Sequence, residues 1–262
     1  MCWDISLFTD LEIVKKDFTE IKDLRSQLEF NMAHFENVQA ITFPNYPIIY
    51  NDTSSSMLAM KEMEWGVLPV YLKDKKAQED RRRNMINVRS ERILEDKKSY
   101  WYRLRSQRCL IPVNGTYEHR KINGWKKKVP YFIAENDRDI FYIPALYQWH
   151  ENPMGEKIGS FGMLTRSANS VMANIHNDGP NKHRMPLFLP KDLESAWISD
   201  INEKEMAEII NFEMPPEKLK YYSVYTLRGY PDRPDGKHRY DPYTWDGLPP
   251  LGKDTPEENL LF

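Results

Sequence analysis

Apolar positions recur at helical spacing over residues 9 to 30 (TDLEIVKKDFTEIKDLRSQLEF), behind a Thr9 that suits an N-cap, and predict one amphipathic helix. The pattern then changes. ITFPNYPIIYND and MLAMKEMEWGVLPVYL read as short strands broken by Pro, Asn and Asp. The stretch KDKKAQEDRRRNMINVRSERILEDKKSYWYRLRSQR is dense in charge and predicts a loop followed by a helix, with Arg81, Arg82 and Arg83 as a solvated run. Strand-like runs return in RCLIPVNGTYEHR, VPYFIAEND, DIFYIPALYQWH and GSFGMLTRSA, with INGWKKK and EKIGS as hairpin turns. LPKDLESAWIS and NEKEMAEIINF predict two short helices, and KYYSVYTLRGY a last strand.

Strands interspersed with a few helices, without regular βαβ alternation, predict an α+β fold: a mostly antiparallel, twisted or barrel-like sheet with flanking helices. The division expected is one domain over 1–230 and an irregular tail over 231–262. That tail is rich in Pro, Gly and Asp, and Tyr240, Tyr243 and Trp245 are placed to staple it to the body.

Composition narrows the class. The chain has 262 residues, 40% hydrophobic and 13% aromatic, enough to bury a sizeable core. Its 37 basic and 39 acidic side chains leave a net charge of −2, so any nucleic-acid site must be a local basic patch. Two cysteines, Cys2 and Cys109, carry neither metal-type spacing nor a disulfide framework, which points to a reducing cytosol. Cys109, in the apolar run CLIPV, reads as an inert core thiol. The first residues lack a basic start followed by an apolar run, and no stretch is apolar enough to cross a membrane. A cytoplasmic protein, in bacterial-type cytosol or on the nucleoid, is the expectation.

Cys2 carries the most specific chemistry. A small residue behind the initiator permits loss of Met1, which leaves a free α-amine beside the Cys2 thiol. With ordinary pKa values of about 7.7–8.0 and 8.5, both are partly deprotonated near neutrality. Such a 1,2-aminothiol condenses with an aldehyde to an imine and then closes to a thiazolidine ring. Position alone favours an incidental small residue; four further segments change that balance.

WGVLP (Trp65 to Pro69), NVRSE (Asn87 to Glu91), RCLIPVNGTYE (Arg108 to Glu118) and IHN followed by RMP (Ile175 to Pro186) occur in order after Met-Cys. Together they resemble the SOS response-associated peptidase (SRAP) family of abasic-site processing proteins, from Cys2 to about Tyr230. The resemblance implies a DNA damage response protein that shields abasic sites in single-stranded DNA through a thiazolidine crosslink with Cys2. It implies no metal and no organic cofactor, and a monomer is the expectation. Its enzyme class would be a self-processing peptidase, with lyase chemistry open to the same amine. By the same resemblance Asn87 would hydrogen-bond the captured sugar or the Cys2 amine, and Glu118 would move protons during imine formation. His176 would assist opening of the abasic sugar, with His183 an alternative, because six residues (NDGPNK) separate Ile175-His176 from His183-Arg184. Arg89 and Arg184 would bind phosphates, Trp65 would wedge against a base, and Thr165 would line the same pocket.

The chain departs from the family pattern at three places. Trp3-Asp4 replaces Gly-Arg after the cysteine, His119 stands where Trp usually follows Glu118, and a DGP turn is inserted behind His176. Two other functions fit the same residues: a cysteine-type peptidase using Cys2, and a non-covalent binder of single-stranded nucleic acid.

Overall fold

The long strands are buried over most of their length, and five of them close on themselves. The computed structural model describes residues 2–24, 35–151, 154–228 and 233–254. Its first strands are β1 (Asp4–Ser6), β2 (Lys22–Asp23), β3 (Val38–Gln39), β4 (Asn45–Asp52), β5 (Met57–Trp65) and β6 (Asn87–Arg89). They are followed by β7 (Arg108–Val113), β8 (Gly115–Arg120), β9 (Val129–Glu135), β10 (Phe141–Glu151) and β11 (Lys157–Ser167). The last are β12 (Arg184–Pro186) and β13 (Leu219–Ser223).

Strands β11, β10, β7, β4 and β5 follow one another by antiparallel pairing, and β5 returns to β11 to close a barrel. The closure is parallel, with Glu64 opposite Ser160 and Trp65 opposite Phe161. Strand β11 also carries β6 in parallel and β12 antiparallel, which sets Asn87 opposite Met163 and Pro186 opposite Thr165. A second sheet runs β13-β9-β8-β1-β3. The α+β expectation therefore holds, with a closed barrel at its centre.

The chain passes from barrel to second sheet through one residue, Asn114, between β7 and β8. Its buried side chain accepts from the backbone N–H of Phe8 (2.6 Å) and Thr9 (3.1 Å), which fixes the chain just beyond β1. Gly115 follows because a Cβ there would sit 2.2 Å from the Phe132 ring and 2.8 Å from the Ile133 carbonyl. β1 is thus held against β8, with Asp4 opposite Tyr117.

Three expectations need correction. The helix predicted over 9–30 is only α1 (Glu12–Asp17), because the Thr9 hydroxyl is taken by the Asn114 amide and Lys22–Asp23 pair with β5. Residues 25–30 of that expectation lie outside the described residues. The charged stretch is a helix, α2 (Lys75–Arg82), capped by Asp74, then β6 and two single turns, α3 (Glu91–Leu94) and α4 (Tyr100–Arg103). Arg82 is no solvated residue: it is buried, pairs with Glu64 at 2.6 Å, donates to the Gly66 carbonyl and lies over the Phe43 ring.

Trp65 is the third. It is fully buried, stacks with Phe161 and donates its indole N–H to the Ile86 carbonyl at 3.1 Å. A ring at the seam where the barrel closes cannot wedge against a base. Trp65→Ala is expected to destabilise the fold by roughly 3–5 kcal/mol, as large aromatic deletions in cores do; an unchanged midpoint in denaturant unfolding would contradict this placement.

The helices α5 (Ser170–Ile175), α6 (Lys191–Trp197) and α7 (Glu203–Asn211) follow, the last closed by a capping box between Asn202 and Glu205. Residues 233–254 form no helix or named strand. Tyr240 stacks on Phe8 at 3.8 Å, Trp245 donates to the Val224 carbonyl, and the fully buried Arg120 pairs with Asp254 at 2.9 Å.

Candidate active site

Four separated segments meet at the start of β1. The pairing of β1 with β8 brings the chain start alongside Glu118, which is 3% exposed. Parallel pairing of β6 with β11 turns Asn87 inward, where its Nδ2 donates to the Cys2 carbonyl at 3.1 Å. His176 ends α5, buried, with Nε2 3.9 Å from a Glu118 carboxylate oxygen. Cys2, Asn87, Glu118 and His176 are thus gathered in one place. His183 is not: it is exposed, at a left-handed φ of 61°, and its N–H closes the loop onto the His176 carbonyl.

The electrostatics follow from burial. Cys2 is fully buried, and loss of solvent, then the facing Glu118 carboxylate, push its thiol well above the ordinary range. The thiol is therefore held protonated. Nδ1 of His176 lies 2.9 Å from the Arg184 carbonyl, and a carbonyl only accepts, so Nδ1 carries a proton. Nε2 is left facing Glu118. At 3.9 Å the two are too far apart for a direct hydrogen bond, and the gap is one that a substrate oxygen can bridge. One Glu118 oxygen and the Asn87 Oδ1 are buried with no partner among the described residues.

Two hollows flank this centre. The smaller, about 200 Å³, is lined by Asn87, Arg89, Arg92, Trp101, Thr165 and Arg184. Arg89 is exposed there and donates to the Asn181 side chain at 2.9 Å. Arg184 is more committed: its fork grips Glu91 at 2.5 and 3.0 Å and it donates to the Thr165 carbonyl. The larger hollow, about 510 Å³, is lined by Glu118 and His176 together with Trp3, Asp4, His119 and Arg228 among others. Lys127 and Lys128, in the turn after β8, add cations to it. Acidic and basic side chains alternate around this hollow, with Lys128 paired to Asp178 at 2.9 Å and Arg228 to Asp4 at 3.0 Å.

Sequence reasoning missed the Asp4–Arg228 ion pair (3.0 Å), Glu91 as the partner of Arg184, and the place of Lys127 and Lys128 at the hollow. The lysine run in GWKKK was the one available signal. Nothing local marks Arg228, which reaches Asp4 across 224 residues of sequence.

A profile of the SOS response associated peptidase (SRAP) family matches residues 1–229. The chain belongs to the SRAP family. Among its relatives, Abasic site processing protein YoaM of Bacillus subtilis is 30% identical over 206 residues, covering 78% of this chain and 81% of that protein. YoqW, a second Bacillus subtilis protein of the same description, is 28% identical over 77% of this chain and 82% of its own length. HMCES of Gallus gallus, also described as an abasic site processing protein, is 24% identical over 68% of this chain and 56% of that one. The fold is shared with a solved protein from Bacteroides thetaiotaomicron, with TM-score 0.77 and 24% identity over 93% of this chain and 100% of that one. A Bordetella bronchiseptica protein follows at TM-score 0.68 and 21% identity, covering 86% of this chain and 100% of its own.

Proposed function

We propose that this SRAP chain processes abasic sites in single-stranded DNA, by covalent capture of the ring-opened sugar aldehyde on Cys2 after removal of Met1. The observation that carries the reading is the buried Cys2 at the chain start, facing Glu118, with Asn87 on its carbonyl and His176 beside Glu118. The relatives are described as abasic site processing proteins, which supports the abasic-site part of this reading.

The chemistry balances as follows. The Cys2 α-amine adds to C1′ of the aldehyde, giving a carbinolamine. Glu118 takes a proton from the nitrogen and returns one to the hydroxyl, which leaves as water, and an imine forms. The Cys2 sulfur then bonds to the imine carbon while its proton passes to nitrogen. A thiazolidine results, with one water released overall. Because the thiol is kept protonated, the amine reacts first and the thiol closes the ring. His176 holds the sugar hydroxyl between Nε2 and Glu118 while the ring opens, and Asn87 keeps the Cys2 backbone in place.

Single-stranded DNA with one abasic site should give a complex that survives boiling in denaturant, and the intact strand should give none. Equal yields with both would rule the reading out. Arg89, exposed at the edge of the smaller hollow, is the first phosphate contact in this scheme. Arg89→Ala should weaken non-covalent binding of every strand alike and flatten the salt dependence by about 0.7 in log–log slope. An unchanged slope would remove Arg89 from the interface.

A further inference from the structure

The hollow beside Glu118 is larger than capture of one sugar requires. At about 510 Å³ it falls within the ~300–1,000 Å³ of pockets that enclose a small molecule. Asn181 borders both it and the Arg89–Arg184 hollow. A strand with a phosphate in the smaller hollow and its abasic sugar at Cys2 therefore continues into the larger one.

Its walls suit a base. Trp3 and His119 present rings, and Pro130 and Leu227 present apolar surface. Burial, and then the neighbouring Arg228 and Lys128, lower His119 to about 4, so its imidazole is a neutral ring near pH 7. Lys127, Lys128 and Arg228 add cations around them, Lys128 paired with Asp178 and Arg228 with Asp4.

Two buried polar atoms in this wall have no partner among the described residues and no part in the capture chemistry: Trp3 Nε1, a donor, and Asp4 Oδ1, an acceptor. Buried polar groups are paired as a rule, and exceptions call for an explanation. Asp4 is 2% exposed, and its other oxygen is held by Arg228 at 3.0 Å, so the carboxylate is fixed in orientation. The departures from the family pattern converge here: Trp3, Asp4 and His119 all line the hollow, as do Asp178 to Asn181 of the inserted loop. That loop is tied across the hollow by the Lys128–Asp178 ion pair at 2.9 Å.

We propose that this hollow reads the base next to the abasic site, with Asp4 selecting bases that carry an exocyclic amino group over thymine. An ionised carboxylate only accepts. Guanine, adenine and cytosine each offer it an exocyclic amino donor, whereas the one ring donor of thymine, N3–H, lies between two carbonyl oxygens whose lone pairs oppose a carboxylate. Trp3 Nε1 supplies the complementary donor to a ring nitrogen or carbonyl. The inference rests on the abasic-DNA reading above and adds a sequence preference to it.

The test uses the full chain and single-stranded oligonucleotides with one abasic site flanked on either side by each of the four bases. Initial rates of adduct formation are read at limiting protein. In parallel, Kd is read with a tetrahydrofuran abasic analogue, which cannot crosslink. On one side of the lesion, the amino-bearing bases should exceed thymine by about tenfold. On the other side, all four should agree. Asp4→Asn, which matches the shape and offers thymine a donor, should bring the four bases within about twofold on both sides. Equal values for all four bases in the unaltered protein overturn the proposal without any variant, as does a preference that survives Asp4→Asn. If no adduct forms on any strand, the capture reading fails, and the tetrahydrofuran affinities still decide whether Asp4 reads a base.

Discussion

Cys2→Ala should remove the denaturation-stable complex with abasic DNA, lowering its yield by at least roughly 100-fold, since neighbours do not replace a lost nucleophile. The same variant should not abolish reaction altogether. Alanine behind Met1 also permits initiator removal, so the α-amine survives and an imine still forms with the aldehyde. Borohydride reduction should therefore trap a complex from Cys2→Ala that is absent without it. This pair of outcomes separates ring closure by the thiol from a simple imine. A stable complex from Cys2→Ala at full yield would place the reacting group elsewhere.

Glu118→Gln is the second large effect. The carboxylate has two opposing influences on the site. In the proposed capture it moves protons during loss of water, and with burial it holds the Cys2 thiol up. An amide of the same shape removes both, so the thiol becomes easier to ionise while the amine loses its acid/base partner. The proton-transfer loss should dominate, because ring closure follows imine formation. Single-turnover capture should slow by roughly 10²–10⁴-fold. A rate within a few-fold of the unaltered protein would leave Glu118 a structural carboxylate. Circular dichroism should show the fold intact, since Gln keeps the volume and polarity of this buried position.

These effects concern residues that local sequence already pointed to, and the reason is chemical. Cys2, Asn87, Glu118 and His176 each sit in a short motif, and antiparallel β1–β8 pairing together with parallel β6–β11 pairing brings the motifs into contact. The inserted DGP turn left two histidines open in the sequence; in the structure it forms the loop that carries His183 out to the surface. The strands and the turn of GWKKK were legible as apolar runs and breakers, with β8 and β9 flanking that turn.

Other features depended on contacts far apart in sequence. Trp65 looks the same to a local reading whether it faces a groove or a seam. Its placement is decided by the parallel closure of β5 on β11, almost 100 residues away. Arg82 sits in a run of three arginines, and only its meeting with Glu64 and the Phe43 ring withdraws it from solvent. Arg184 shows the same limit from the other side. The motif supplies the guanidinium, but Glu91 occupies its fork, leaving Arg89 as the more open cation.

The most direct test of the central claim is mass spectrometry of the protease-digested adduct. The aminothiol account predicts an N-terminal peptide that begins at Cys2 and carries the abasic sugar, heavier by the mass of the aldehyde less one water, with the thiol unavailable to alkylation. An unmodified N-terminal peptide still beginning with Met1, or the sugar found on a lysine, would contradict it.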